Sequence, residues 1–411
     1  MRPFDTPAHK LPAWKFWQDL KVDTLTAWPN QAYERHDLLL ETAGRRLLVA
    51  TSPRAISRVL LDRNSPWDLA GFQQRQLEPV LGGSLVLADD AQAPALRRRA
   101  AAFISGDGDQ CLGQLVSTKI GALVARGSED LEADLSRAAL SILVRLLFGA
   151  DLDRDEQPLT ALFDRRVRHL EKFRLRSALG WPLLMSPDCS RMRLQVLAHD
   201  AKLLDMLAAR SNGLRQLAST FGRREAAAMA LSLLSGYKTV ALTLLWSLKA
   251  LSEHSELLAP LAAEAVEWRK AGHTTATLAN MRHTRALMHE TMRLYPAFPF
   301  LLRQTRAEDP MMGALTNDVA LVSPWIVHRH KALWPDPLAF SPERFLKGAP
   351  SSLSFLPFGF GQRRCLGANL GERVIIASLL TIAAREQPVV VGDAEPFGSF
   401  LLRPRRRVSL R

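Results

Sequence analysis

The sequence predicts a mainly α-helical protein with a minor β-sheet region near both ends. Three observations predict it. From Ala91 to about Arg210 the apolar residues recur at helical spacing, interrupted at Gly106–Gly108, Gly149, Pro158, Gly180–Pro182 and Pro187. From Arg223 to about Glu253 there is no proline, and the one interior glycine is Gly236. Strand-like runs fall at 38–50, at 300–325 and in the tail after residue 385.

Taken in order, Leu38–Thr42 and Arg45–Ala50 flank Ala43-Gly44 and predict a β-hairpin. Ser52-Pro53 predicts a helix start, with the hydroxyl capping and the proline in the first turn, and the helix runs to about Arg63. Residues 64–88 read as irregular, punctuated by Pro66, Pro79 and Gly82-Gly83. After the broken helical region comes the stretch 223–253. It is apolar on nearly all sides, through Ala226, Met229, Leu231, Leu233, Leu234, Val240, Leu244, Leu245, Trp246 and Leu248. A helix hydrophobic all round belongs in a core, and about 30 residues reach roughly 45 Å, enough to cross a large domain. Further helices extend to Leu294, where Pro296 stops them. Strands then close the chain at Phe400–Leu402 and Val408–Leu410.

The chain has 411 residues, 47% of them hydrophobic, and buries a large core. No linker, low-complexity tract or internal repeat divides it, so one domain over 1–411 is expected. Cys111, Cys189 and Cys365 are distant and odd in number, which argues against a disulfide framework and points to a reducing, cytoplasmic compartment. The first 25 residues mix lysines and aspartates with Trp14, Phe16 and Trp17, so neither a signal peptide nor a membrane anchor is expected. The net charge of +13 raises nucleic acid as a partner. The arginine clusters at 97–99, 165–166, 223–224, 363–364 and 405–407 are scattered, which fits a solvated basic surface instead.

The richest segment is Phe358-Gly-Phe-Gly-Gln-Arg-Arg-Cys-Leu-Gly367. It sets Cys365 in a glycine-rich loop beside Arg363 and Arg364, just before an apolar helical stretch from Ala368 to about Ala384. Helix N-terminus and guanidinium groups both favour thiolate, the form that ligates soft metals and haem iron. A buried inert cysteine at a helix start is the alternative. The pattern Phe358, Gly361, Arg363, Cys365, Gly367 resembles the haem-binding loop of the cytochrome P450 superfamily. Five fixed positions arise by chance in a chain this long on the order of once in ten thousand.

The resemblance implies a cytochrome P450 fold, with haem b between the long central helix and the cysteine loop. Cys365 is then the iron ligand, and Phe358, Gly359 and Gly367 shape the loop. Arg97, Arg303 and Arg363 become donors to the haem propionates, although the family's usual histidine near Arg97 is Ala93 here. Glu290 and Arg293, on one helical face, match the family's E-x-x-R helix, and Arg344 sits in the matching Pro342-Glu-Arg-Phe345 segment. The three are implied to form a buried structural charge network. Ser235-Gly236-Tyr237-Lys238-Thr239 matches the family's oxygen-side motif. Gly236 makes room, Thr239 offers a hydroxyl and Ser235 a second one. Lys238 stands where the family has an acid. It either delivers protons or turns away into an ion pair.

The implied activity is a monooxygenase of the soluble bacterial type, acting as a monomer on a hydrophobic small molecule and without a nucleic-acid partner. Its electrons come from a ferredoxin- or flavodoxin-type donor with its reductase. Lys238 keeps a peroxide-driven, rearranging or coupling variant open, and a non-catalytic haem-binding homologue is a further alternative. By family position the pocket is lined by Trp67, Phe72 and Leu77, by Phe173, Leu179 and Trp181, by Leu231–Ser235 and by Phe298–Leu302. Arg174 and Arg176 lie at its entrance or on the surface.

Overall fold

The computed structural model describes residues 9–10, 12–42, 44–71, 74, 77–78, 81, 84–88, 93–104, 109–152, 156–171, 187–348, 350–351, 353–385 and 388–411. In chain order the elements are β1 (His9–Lys10), α1 (Ala13–Val22), β2 (Leu38–Thr42), β3 (Arg45–Val49), α2 (Pro53–Leu60), β4 (Trp67–Leu69), α3 (Ala93–Ile104), α4 (Asp109–Arg126), α5 (Leu131–Phe148), α6 (Glu156–Glu171) and α7 (Pro187–Ala208). There follow α8 (Asn212–Phe221), α9 (Arg223–Leu234), α10 (Tyr237–Glu253), α11 (Leu258–Lys270), α12 (Arg282–Leu294), β5 (Leu301–Thr305), β6 (Val319–Val322), α13 (Pro324–Val327), α14 (Glu343–Leu346) and α15 (Ala368–Ala383). Short strands β7 (Val390–Val391), β8 (Pro396–Gly398), β9 (Leu402–Pro404) and β10 (Ser409–Leu410) end the chain. The molecule is mainly helical with a minor sheet region.

The hairpin forms as the sequence predicts. Leu38 faces Val49, Thr42 faces Arg45, and Gly44 takes the left-handed backbone of the turn at φ 68°. It lies within a six-stranded sheet ordered β1-β2-β3-β6-β5-β4, in which β3 and β6 run parallel and β5 and β6 antiparallel. Ser52 caps α2 by accepting from the Ala55 N–H. That helix ends at Leu60 rather than near Arg63, because the Asp62 carboxylate accepts the Asn64 N–H and starts a turn. The segment expected to be irregular holds β4, which pairs with β5 at Trp67↔Thr305 and Leu69↔Arg303. Three residues at a sheet edge carry too little local pattern to announce themselves. The terminal strand β9 starts at Leu402, not Phe400, since Ser399 and Leu401 close a tight turn.

The stretch 223–253 is two helices rather than one. Ser235 and Gly236 separate α9 from α10 yet keep right-handed helical backbone, so the rod continues through a local turn. Glycine is a weak helix former, and the Thr239 hydroxyl donates at 2.9 Å to the Gly236 carbonyl, which also accepts the Val240 N–H at 3.0 Å. The combined stretch is long and apolar enough to cross a membrane by length and composition, but 72% of its apolar window is buried in protein. It packs against α5, α12 and α15, with Trp246 and Leu245 fully buried. This is the expected core position.

Candidate functional site

The loop between residues 356 and 367 is pinned from three sides. Its own backbone closes it, with the Cys365 N–H donating to the Phe358 carbonyl at 2.9 Å. Gly359 and Gly361 both adopt positive φ, 67° and 72°. Gly361 sits so close to α2 that a Cβ there would lie 1.9 Å from the Leu60 carbonyl oxygen. On the third side, buried His328 accepts the Leu356 N–H on Nε2 at 2.8 Å. Its Nδ1–H therefore donates to the Arg293 carbonyl at 3.1 Å. Burial pushes the imidazole pKa down to about 3, so the ring stays neutral and holds that tautomer.

Behind His328 lies the charge network. Arg293 grips Glu290 in a bidentate pair, Nε to Oε2 at 2.7 Å and Nη2 to Oε1 at 2.8 Å, with both side chains fully buried. Arg344 Nε and the Ser341 N–H also reach Glu290 Oε1, at 3.1 and 2.7 Å. The remaining Arg293 donors go to the carbonyls of His328, Pro337 and Ala339. His328 links this network to the loop, and nothing in its local sequence, Ile326-Val-His-Arg329, marks it for that role.

A cavity of about 670 Å³ opens between this loop and the turn at Ser235–Gly236. Phe358, Gly359, Cys365 and Gly367 line it from one side; Ser235, Gly236 and Thr239 line it from the other. A Cβ at Gly236 would have no atom within 4 Å, so space is open there. Arg97, Arg303 and Arg363 all line the cavity, as does Ala93. Arg97 donates to the Arg364 carbonyl at 2.8 Å and Arg303 to the Leu302 carbonyl at 2.8 Å. Of the residues expected to wall the pocket, Leu77, Ser232, Leu233, Phe298, Phe300, Leu301 and Leu302 do so. Leu231, Leu234, Pro299 and Trp67 do not, and the Trp67 indole N–H is spent on Asp309 at 2.9 Å. Phe72, Phe173, Arg174, Arg176, Leu179 and Trp181 lie outside the described residues.

Two electrostatic expectations change. Arg363 turns away from the thiol, with Nη2 3.2 Å from Asp68 Oδ1 and 3.1 Å from the Ala88 carbonyl oxygen. Asp68 is buried and also pairs with Arg306; lying in the short edge strand β4, it gives no signal in the sequence. The Cys365 side chain is exposed where it lines the cavity, but the protein around it desolvates the thiolate and pushes the thiol pKa up. A Gly367 backbone contact and the charges of Arg97 and Arg364 oppose that shift without overcoming it. A cation in the cavity, not the flanking arginines alone, is what would draw the proton off.

Lys238, one of the catalytic candidates, is not among the cavity-lining residues. It is buried and turned to the opposite side of α10, with Nζ 2.8 Å from Glu132 Oε1, 3.2 Å from Asp164 Oδ1 and 3.1 Å from Ser136 Oγ. Asp164 also accepts the Tyr237 hydroxyl at 2.8 Å, and Arg403 lies 3.1 Å from Glu132 Oε1. Charge pairing outcompetes the cavity for a buried ammonium, because an unpaired one would stay desolvated at a cost of several kcal/mol. Thr239 and Ser235 keep their hydroxyls on the Gly236 and Ser232 carbonyls, at 2.9 and 2.7 Å.

Comparison with known proteins bears on this geometry. The family model for cytochrome P450 matches residues 190–382. The solved structure of CYP175A1 from Thermus thermophilus superposes with a TM-score of 0.76, covering 98% of this chain and 99% of that one at 22% identity, which shows the shared fold. A putative cytochrome P450 137 of Mycobacterium tuberculosis is 28% identical over 300 residues, 66% of this chain and 60% of the relative. The chain is similar to cytochrome P450s in the family model, in sequence and in fold. Cytochrome P450 81F2 of Arabidopsis thaliana is 34% identical over 154 residues, but the match spans only 36% of this chain and 31% of that relative.

Cytochrome P450s carry haem, and the residues present fit one. Among the described residues the cavity offers one thiol, the guanidinium groups of Arg97, Arg303 and Arg363, suited to two carboxylate arms, and mostly apolar walls. Arg363 is preoccupied by Asp68, so a propionate there must share it. The position of Lys238 has a measurable consequence. Lys238→Met should lower stability to urea by about 1–3 kcal/mol, since it strands the Glu132 and Asp164 carboxylates while Arg403 and Tyr237 still partner them. Haem content and the Soret spectrum should stay those of the parent protein. A spectral change at the iron in the variant would place Lys238 at the cavity after all.

Proposed function

We propose that this protein is a cytochrome P450 monooxygenase that holds haem b on Cys365 and inserts one oxygen atom from dioxygen into a hydrophobic small molecule. One observation carries this: Cys365 and Thr239, from separate elements, line one mostly apolar cavity together with Arg97, Arg303 and Arg363. Haem, when bound, supplies the iron at which dioxygen is activated with electrons from a ferredoxin- or flavodoxin-type donor. The chain's own residues do the rest. Cys365 would hold the iron through its thiolate and push electron density toward it. Arg97, Arg303 and Arg363 would neutralise the propionates. Gly236 leaves the space a substrate-side ligand needs. Rotation of Thr239 about χ1 frees its hydroxyl from the Gly236 carbonyl and lets it donate a proton into the cavity. The apolar walls exclude water and favour an apolar substrate. Glu290, Arg293 and Arg344 are structural rather than catalytic. We place the protein in the cytoplasm as a single-domain monomer.

The alternative, a peroxide-driven, rearranging or coupling P450, rests on Lys238 standing where the family has an acid. The ion pairs of Lys238 with Glu132 and Asp164 take it out of the cavity without restoring that acid, while Thr239, which lines the cavity, favours the dioxygen reading. The test is the carbon monoxide spectrum of the dithionite-reduced holoprotein. A thiolate ligand gives the long-wavelength Soret band of a P450. The shorter-wavelength band of a thiol- or imidazole-ligated haem, in folded protein, would overturn the role of Cys365.

A further inference from the structure

Asp68 is buried, 7% exposed, in the short edge strand β4. It lies one residue behind the cavity wall. Its neighbour Leu69 lines the cavity, and so does Arg303, the cross-strand partner of Leu69 on β5. Asp68 Oδ1 accepts the Leu69 N–H at 2.7 Å and lies 3.2 Å from Arg363 Nη2. Asp68 Oδ2 pairs with Arg306, whose side chain is 67% exposed. The carboxylate thus stands between two guanidinium groups, one at the cavity and one at the solvent.

Arg363 reaches Asp68 from the cysteine loop, two residues before Cys365, and also donates to the Val86 and Ala88 carbonyls at 3.4 and 3.1 Å. Arg97 and Arg303 donate to the carbonyls of Arg364 and Leu302. A haem brings two carboxylates to these three guanidinium groups, and Asp68 adds another that is already fixed and desolvated. It competes with a propionate for Arg363. Its charge also extends into the cavity, since a buried charge is poorly screened. A fixed negative charge behind the wall disfavours adding an electron there. Arg306 offsets that charge from the surface and so weakens the hold of Asp68 on Arg363.

We propose that Asp68 is a positioning residue that acts on the haem through Arg363. It keeps that guanidinium partly engaged, loosens the grip on one propionate and lowers the reduction potential of the iron. This deepens the monooxygenase reading and rests on haem binding at Cys365.

The test is a spectroelectrochemical titration of the ferric–ferrous couple in the holoprotein, with haem release to excess apomyoglobin timed on the same samples. Asp68→Asn keeps the shape and the acceptor for the Leu69 N–H but drops the charge. Its potential should move positive, and haem should leave about tenfold more slowly, the worth of one charge-assisted hydrogen bond. Arg306→Gln removes the outer partner and leaves Asp68 to bear fully on Arg363. Its potential should move negative, and haem should leave faster. Both variants break the same ion pair, so a merely structural role for Asp68 would move them the same way. Shifts of one sign in either readout, no shift, or the reverse order overturns the proposal. Arg306 is exposed, so Arg306→Gln should fold even where Asp68→Asn does not, and a null or positive shift in it alone is then decisive against Asp68. The carbon monoxide spectrum of the parent protein separates the causes: an intact thiolate band beside a failed result sinks the role of Asp68 alone, and its absence sinks the haem-thiolate assignment as well.

Discussion

Glu290→Ala should destabilise the protein by about 3–5 kcal/mol, enough to leave little folded material at physiological temperature. The carboxylate is fully buried and satisfies three groups at once: the Arg293 fork, Arg344 Nε and the Ser341 N–H. Removing it leaves Arg293 as an uncompensated buried cation that still holds the carbonyls of His328, Pro337 and Ala339. His328 carries that disturbance to the Leu356 N–H and so to the cysteine loop. Glu290→Gln keeps the acceptor oxygen and the shape but loses the charge, so its loss should be smaller. Urea denaturation of both variants, with haem content read on the same samples, measures the difference. A loss below about 1 kcal/mol for Glu290→Ala would mean that the network is solvated in solution and that its burial contributes nothing.

Much of this site is legible in the sequence because its chemistry is local. Phe358 to Gly367 are ten consecutive residues, and Glu290 and Arg293 are one helical turn apart, so motif and geometry coincide. The helices are legible for the same reason: periodicity and stop signals sit within each segment. What stays hidden depends on partners distant in sequence. Asp68 reaches Arg363 only because β4 adds to the edge of the sheet beside β5, a pairing between residues 67–69 and 303–305. His328 looks like any buried histidine until Leu356 and Arg293 are placed on its two nitrogens. Lys238 is the instructive case. Its departure from the family pattern is visible, but its direction is set by Glu132 on α5 and Asp164 on α6, neither of which signals to position 238.

Gly361→Ala should dislodge the cysteine loop and cost the protein its haem. Two effects add. The residue holds φ at 72°, where a side chain costs about 1–3 kcal/mol. The new Cβ would also fall 1.9 Å from the Leu60 carbonyl oxygen, 2.9 Å from its carbon and 3.5 Å from Leu61 Cα. These are backbone atoms at the end of α2, which no rotamer change can move aside, and overpacking of this kind costs about 1–3 kcal/mol more. The loop yields more easily than the helix, because α2 is capped by Ser52 and packs Ile56 and Val59 into the core under the sheet. Displacing the loop moves Cys365, whose N–H is tied to Phe358 across the same turn. Gly359→Ala is the control. Its φ is 67°, but the nearest atom to its Cβ is the flexible Leu301 Cδ1 at 4.0 Å, so it bears the backbone strain without the clash. Both variants should still fold and unfold cooperatively in urea, while haem content and the thiolate Soret band fall sharply only for Gly361→Ala. Equal haem retention by the two variants would show that the contact with Leu60 does not position the loop, and that strain at the glycines is all it has to bear.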